Sequence, residues 1–268
     1  MISLKDISEN LDVATVNNHI DNDHALNNAH SQLRKFFDRI EGEFISPSEF
    51  VLILNAGVSI FSKSDQEKLT KAFEYHHSQD LSANARGIFY HNSRHHYKVT
   101  IMALIIGLYH NLPISKLRLL TLVASIHDMD YEVRRSDLSN GFMEERSVER
   151  AFTADILDRS NFLQAMEINR ATYFPCRLEQ WFKDMPENDI RRILADADLV
   201  GSVGISIPAF EAETARIEKE AGLTFTPAMR SGFLKNIDGL NSVPGTFLET
   251  EYKRIVKHVQ DQISSHPL

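Results

Sequence analysis

The chain has 268 residues, 43% hydrophobic and 25% charged, with a net charge of −8, as expected for a globular protein of one large or two small domains. The acidic balance weighs against a sequence-independent nucleic-acid binder, which needs a basic face, so no nucleic-acid duplex is expected as a partner. A single cysteine, Cys176, excludes an internal disulfide and a cysteine zinc cluster.

Met1 to Asn28 is polar and rich in Asn and Asp, with neither the basic nor the apolar region of a signal peptide. The longest apolar run, Val99 to Leu108, is too short to span a bilayer. The expectation is a soluble, cytoplasmic protein with no membrane partner. Apolar periods of three and four dominate, so the expected fold is all-α. Residues 1–21 read as a poorly specified arm and 22–41 as a first helix. Ser46-Pro47-Ser48-Glu49 is a capping box with proline at the first helical position, and Ser64-Asp65-Gln66-Glu67 is a second box, opening a helix over 68–77. Polar residues 79–87 read as a linker. The expected division is an arm and helical extension over 1–80, then a larger domain over 81–268. Helices are expected there near 90–110, 115–128, 147–159, 161–172, 188–201, 209–221, 227–238 and 246–263. Pro113, Pro175, Pro186, Pro208, Pro227 and Pro244 separate them as helix breakers.

The chemistry gathers on apolar helices. His91 and His95 share one helical stripe with Val99, Met102 and Ile106. The nearly all-apolar helix from Ser115 ends in His127-Asp128. An anion at that end opposes the helix dipole, and nearby Asp130 and Glu132 add repulsion. A divalent cation would offset it, as would a salt bridge from Arg134 or Arg135. Further on, Asp196 and Asp198 flank an apolar stripe about equally, projecting roughly 200° apart, so periodicity does not choose between them. Burying such groups costs several kcal/mol unless they are paired or bind metal, and one transition-metal site accounts for all of them. Glu144 and Glu145 suit a helix start for dipole reasons alone. His19, His24, His30, His76 and His77 lie in polar stretches and read as solvated. Cys176 reads as a small buried residue.

The order His, His-Asp, Asp on an all-helical chain resembles the HD-domain metal-dependent phosphohydrolases. Tyr90-His91-Asn92-Ser93-Arg94-His95 is also similar to the signature of class I cyclic nucleotide phosphodiesterases. Ile126-His127-Asp128-Met129-Asp130-Tyr131 with Glu144-Glu145-Arg146-Ser147 looks more like a bacterial branch of predicted HD hydrolases. The resemblance covers roughly residues 88–240 and implies an HD-domain, phosphodiesterase-like helical bundle with an N-terminal helical extension. It implies His95, His127, Asp128 and Asp198 as metal ligands, and His91 and Asp128 as catalytic residues. His91 would be the group that protonates the leaving oxygen, and Asn92 would order its loop. Asn92, Arg94, Lys98 and Glu145 are the candidate substrate contacts.

Two imidazoles and two carboxylates suit one divalent transition metal, Mn, Fe, Co, Ni or Zn. A second metal such as Mg lacks support. The phosphodiesterase pattern has a further His soon after the His-Asp pair, where this chain has Asp130, Tyr131 and Glu132. The expected activity is hydrolysis of a phosphomonoester or phosphodiester in a small compound, a nucleotide among the candidates. The alternatives are a non-catalytic HD-type metal- or nucleotide-binding module and an HD-type di-iron oxygenase, which needs ligands the sequence does not place. The amphipathic C-terminal helix leaves a homo-oligomer open.

Overall fold

A computed structural model describes residues 33–131, 142–237, 239–240, 242–243 and 246–265, with only the backbone of 81–86 and 142. The expected arm, the first part of the 22–41 helix, Glu132, Arg134, Arg135 and Pro244 lie outside these residues, as do His19, His24 and His30. Among the described residues there is no strand; the fold is all-α. In chain order the helices are α1 (residues 33–42), α2 (Pro47–Val58), α3 (Lys63–Arg86), α4 (Ser93–Tyr109), α5 (Ile114–Ile126), α6 (Phe142–Thr153) and α7 (Phe162–Arg170). A 3₁₀ turn (Phe174–Leu178) precedes α8 (Gln180–Lys183), α9 (Ile190–Val203), α10 (Ile207–Ala221), α11 (Pro227–Ile237) and α12 (Phe247–Ser265).

Local chemistry sets the helix starts. Ser46 accepts from the Glu49 amide, with Pro47 in the first turn of α2. The box opening α3 is two residues earlier than Ser64-Glu67. Ser62 Oγ accepts from the Asp65 amide at 3.2 Å, and Asp65 accepts in return from the Ser62 amide at 2.9 Å. Asp65 does the reciprocal work that a capping box usually gives to Glu. Helix α3 then runs through the expected linker, because 79–86 contains no Gly or Pro; Gly87 follows at φ 74°. In α3 the stripe Leu69, Ala72, Phe73 and His76 is buried. His76 is therefore a core residue and not a solvated one, its Nε2 2.8 Å from the Ser125 carbonyl. The polarity of its neighbours hid a helical face that turns inward at every third or fourth position.

Helix α4 is the centre of the molecule, with every residue from Ser93 to Tyr109 buried except Arg94. Helices α9 and α5 pack most extensively on it. Both contacts depend on a missing side chain. A Cβ on Gly107 of α4 would meet Leu117 of α5 at 2.7 Å. One on Gly201 of α9 would meet Val99 Cγ2 at 2.7 Å and the His95 ring at 3.3 Å. One hydrophobic cluster runs from Leu33 of α1 to Val259 of α12, so the N-terminal helices share the core of the rest. Helix α12 buries Phe247, Leu248, Tyr252, Ile255 and Val259 against the bundle. No single described helix is long and apolar enough to cross a membrane.

Gly201→Ala should cost about 1–3 kcal/mol of stability by overpacking. Gly232→Ala lies in α11, where an added Cβ meets nothing within 4 Å, and should be neutral or stabilising by up to ~1 kcal/mol through helix propensity. Denaturant unfolding of the two variants beside wild type checks both signs.

Candidate metal centre

Three helix segments meet at the site. His95 lies in the first turn of α4, which Asn92 caps: its Oδ1 accepts from the Arg94 amide at 3.0 Å and the His95 amide at 3.3 Å. The Asn92 Nδ2 donates back to the Phe89 carbonyl at 2.8 Å, which ties the loop before α4 to the helix start. His127 and Asp128 leave the C-terminal end of α5 in a turn closed by Asp130 in the left-handed region (φ 69°). Aspartate tolerates that region better than most side chains. Asp130 is held by Tyr75 Oη at 2.9 Å, Arg146 at 3.0 Å and Arg150 at 3.4 Å. Asp198 comes from α9.

His95, His127, Asp128 and Asp198 each offer one ligand atom, all within 4.8 Å of one another. His95 Nε2 and His127 Nε2 are 3.0 Å apart. Asp198 Oδ1 is 3.3 Å from the first nitrogen and 3.5 Å from the second. Asp128 Oδ2 is 3.6 Å and 3.2 Å from the same two. Donors ~2.1 Å from one ion lie roughly 3.0 Å apart at right angles and roughly 3.4 Å apart at tetrahedral angles. The His–His and His–Asp distances, 3.0 to 3.6 Å, lie close to that range. His127 Nδ1 donates to the Ala124 carbonyl at 2.8 Å, which turns Nε2 toward the other donors. A hydrogen bond of this kind fixes the orientation of an imidazole that binds metal. The four residues therefore could hold one divalent cation.

The electrostatics are consistent with a cation-seeking site. Burial works against a charged His127, but Asp128 and Asp198 outweigh it and hold its pKa well above the ordinary value. Burial also opposes charge on the two aspartates. The imidazoles nevertheless keep Asp128 well below the carboxylate range and Asp198 at about 2.

The two aspartates of α9 separate cleanly. Asp196 faces away from the four donors and is fully buried. Its Oδ1 accepts from Arg177 at 2.6 Å and its Oδ2 from the Ser242 amide at 2.8 Å. It ties α9 to the 3₁₀ turn and to the stretch before α12.

His91 sits at the rim. Its Nε2 is 3.7 Å from Asp128 Oδ2, and its ring stacks on Tyr131 at 3.6 Å and 19°. Its Nδ1 bonds Glu220 Oε1. The other oxygen of Glu220 accepts from the amides of Phe89 (2.9 Å), Tyr90 (2.8 Å) and His91 (3.2 Å). Burial disfavours the imidazolium, but Glu220 and then Asp128 and Asp198 raise the His91 pKa.

The remaining candidates lie elsewhere. The Lys98 ammonium is buried in ion pairs with Glu41 and Glu213, outside the group of four donors. Arg94 is exposed. Glu145 lines a cavity of about 790 Å³ with Arg170, Tyr173, Cys176 and Trp181. None of the four donors lines that cavity. Glu144 feels the donors. Burial, followed by the charges of Asp128 and Asp198, raises it to about 7.

Three residues escaped sequence reasoning: Glu220, Tyr131 as a ring partner, and Asn169. The buried Asn169 amide donates to the His127 carbonyl at 2.9 Å and the Glu144 carbonyl at 2.8 Å. Neither Glu220 nor Asn169 carries a local signal, since each acts on a distant part of the chain.

No protein-family model matches this chain, and no curated protein does.

Asp198→Ala should abolish binding of added Mn or Co while leaving stability nearly intact. Asp196→Ala should keep metal binding but cost about 3–5 kcal/mol, because it strands the buried Arg177 charge. Elemental analysis and denaturant unfolding of both variants separate the two roles; the reverse pattern would move the site to Asp196.

Proposed function

We propose that this protein is a metal-dependent phosphohydrolase of the HD-domain type, cleaving a phosphomonoester or phosphodiester bond in a small compound such as a nucleotide. The observation that carries the reading is the convergence of His95, His127, Asp128 and Asp198 beside a carboxylate-paired His91. The order of these residues resembles that family, and the all-α architecture is compatible with it. The four donors would hold one divalent transition metal, which when bound lowers the pKa of a coordinated water and neutralises phosphoryl charge.

The chain's own residues divide the remaining work. His91 donates the proton of Nε2 to the leaving oxygen as its bond to phosphorus breaks. Glu220 accepts from Nδ1–H, so the proton that His91 gains and gives up is the one on Nε2, which is turned toward Asp128. Asp128 serves the donor group and, through its charge, favours the protonated form of His91. Tyr131 covers one face of the His91 ring and restricts its rotation. Asn92 holds the loop that carries His91 in register with His95.

The test is turnover of generic phosphomonoester and phosphodiester substrates by the protein loaded with Mn or Co. Turnover of either class is the expected result. Silence on both, with tight nucleotide binding, would replace the hydrolase by a binding module.

His91→Asn should lower kcat by about 10²–10⁴-fold with metal content unchanged. Metal loss equal to the activity loss would remove His91 from the acid role. In Glu220→Gln the charge that raises the His91 pKa is gone. The imidazolium then loses its proton at lower pH, and the alkaline limb of the kcat profile shifts toward lower pH. An unmoved limb would show that Glu220 does not control the acid.

A further inference from the structure

Glu144 stands in the first turn of α6, a helix clamped to the turn that carries His127 and Asp128. Ser147 Oγ donates to the Met129 carbonyl at 2.8 Å, and Arg146 reaches Asp130 at 3.0 Å. The amide of Asn169 bridges the His127 and Glu144 carbonyls. A single side-chain nitrogen thus bonds the main chain of a candidate ligand and that of Glu144, which places the two backbones side by side.

The Glu144 carboxylate has an Oε2 that is buried with no hydrogen-bond partner among the described residues. It also lies in the field of Asp128, Asp198 and His127. A buried, unsatisfied acceptor is costly, and two nearby carboxylates make it costlier. The helix dipole favours an acid at this position in the sequence. It does not require an oxygen turned inward and left unbonded, because an acid in the same turn gains the dipole benefit while open to water. A costly group held beside a reacting centre by surrounding contacts is the pattern of a functional residue.

We propose that Glu144 accepts the proton of the attacking water, opposite His91 on the leaving side. The role rests on the hydrolase reading above. As the water oxygen forms its bond to phosphorus with a lone pair, one O–H bond breaks and its proton passes to Glu144. The bond from phosphorus to the leaving oxygen breaks, and that oxygen takes the proton of His91 Nε2. One proton enters the protein and one leaves it, and nothing is oxidised or reduced. Return of a proton from Glu144 to His91 through solvent resets the pair.

The test compares wild type with Glu144→Gln, which keeps the shape and removes the charge, and with Glu144→Asp. Metal content, melting temperature without metal, inorganic phosphate binding and steady-state kinetics are measured together. Glu144→Gln should bind metal and phosphate as wild type does. Its metal-free melting temperature should be unchanged or higher, because a repelled carboxylate is gone. Its kcat should fall by about 10²–10⁴-fold with KM little changed, and Glu144→Asp should recover part of the loss. Loss of metal in Glu144→Gln would make the residue a ligand and overturn the proposal. A lower melting temperature with kcat and KM both impaired would make it structural, and wild-type kcat would leave it no role. If fully loaded wild type turns over no phosphoester, the hydrolase reading falls and this role with it. Activity in wild type and equally in Glu144→Gln removes this role alone.

Discussion

The arrangement around the site follows from one electrostatic constraint: two partly buried carboxylates, Asp128 and Asp198, face two buried imidazoles, with no fixed cation paired to them among the described residues. Two charged groups buried elsewhere, Asp196 and Lys98, have permanent answers. Asp196 has Arg177. Lys98 has Glu41 and Glu213, and Arg216 closes that network by pairing with the same two acids. At the junction of α4, α5 and α9 the compensating charge can be exchanged. It is a proton on an imidazole, and an ion held among the four donors would replace that proton. Stability alone does not call for such a site, since a fixed Arg or Lys would satisfy the same carboxylates.

Holding the constraint takes rigid supports. The donors sit at helix ends or on helix faces, and their helices meet at glycine. Gly201 lets α9 approach until the His95 ring and Val99 touch its backbone. The end of α5 would otherwise present unsatisfied carbonyls, and Asn169 takes that of His127. Side chains of α6 take the Met129 carbonyl and the Asp130 carboxylate. These contacts keep the donor spacings near those of one coordination sphere. Preorganisation of this kind is what a site gains by resting on secondary structure.

The helices were largely legible in the sequence, and so was the group of four donors, because both leave local traces. Capping residues, prolines and three-four periodicity are properties of short segments. Imidazoles and carboxylates on apolar helices stand out against their neighbours. The misses come from relations between distant segments. Periodicity left Asp196 and Asp198 symmetrical about one stripe. The tie is broken by Arg177, which arrives from a stretch that sequence reasoning read as irregular loop. His76 looked solvated because its flanks are polar, yet its face of α3 meets the core. Lys98 looked available three residues beyond His95, until α1 and α10 supplied its carboxylates. Glu220 is invisible from the sequence, since nothing near it shows that its carboxylate closes a loop and orients an imidazole far up the chain.

Two anions beside His91 stand at helix ends where the dipole opposes them. Asp128 follows the C-terminal end of α5, and Glu220 lies in the last turn of α10, where the helix dipole disfavours an anion. Each is compensated by partners that serve the site. Asp128 faces the two imidazoles, and Glu220 takes three backbone amides and His91. Sequences depart from local preference where function outweighs it, and His91 is the residue common to both departures. It binds Glu220 through Nδ1 and faces Asp128 through Nε2. The two unfavourable anions thus converge on one imidazole from opposite sides, an arrangement that holds a proton in place. The support comes from α10, which contributes none of the four donors. In the proposed mechanism the proton on His91 and the cation site thus have separate supports, and a substitution at Glu220 would reach the first without touching a donor.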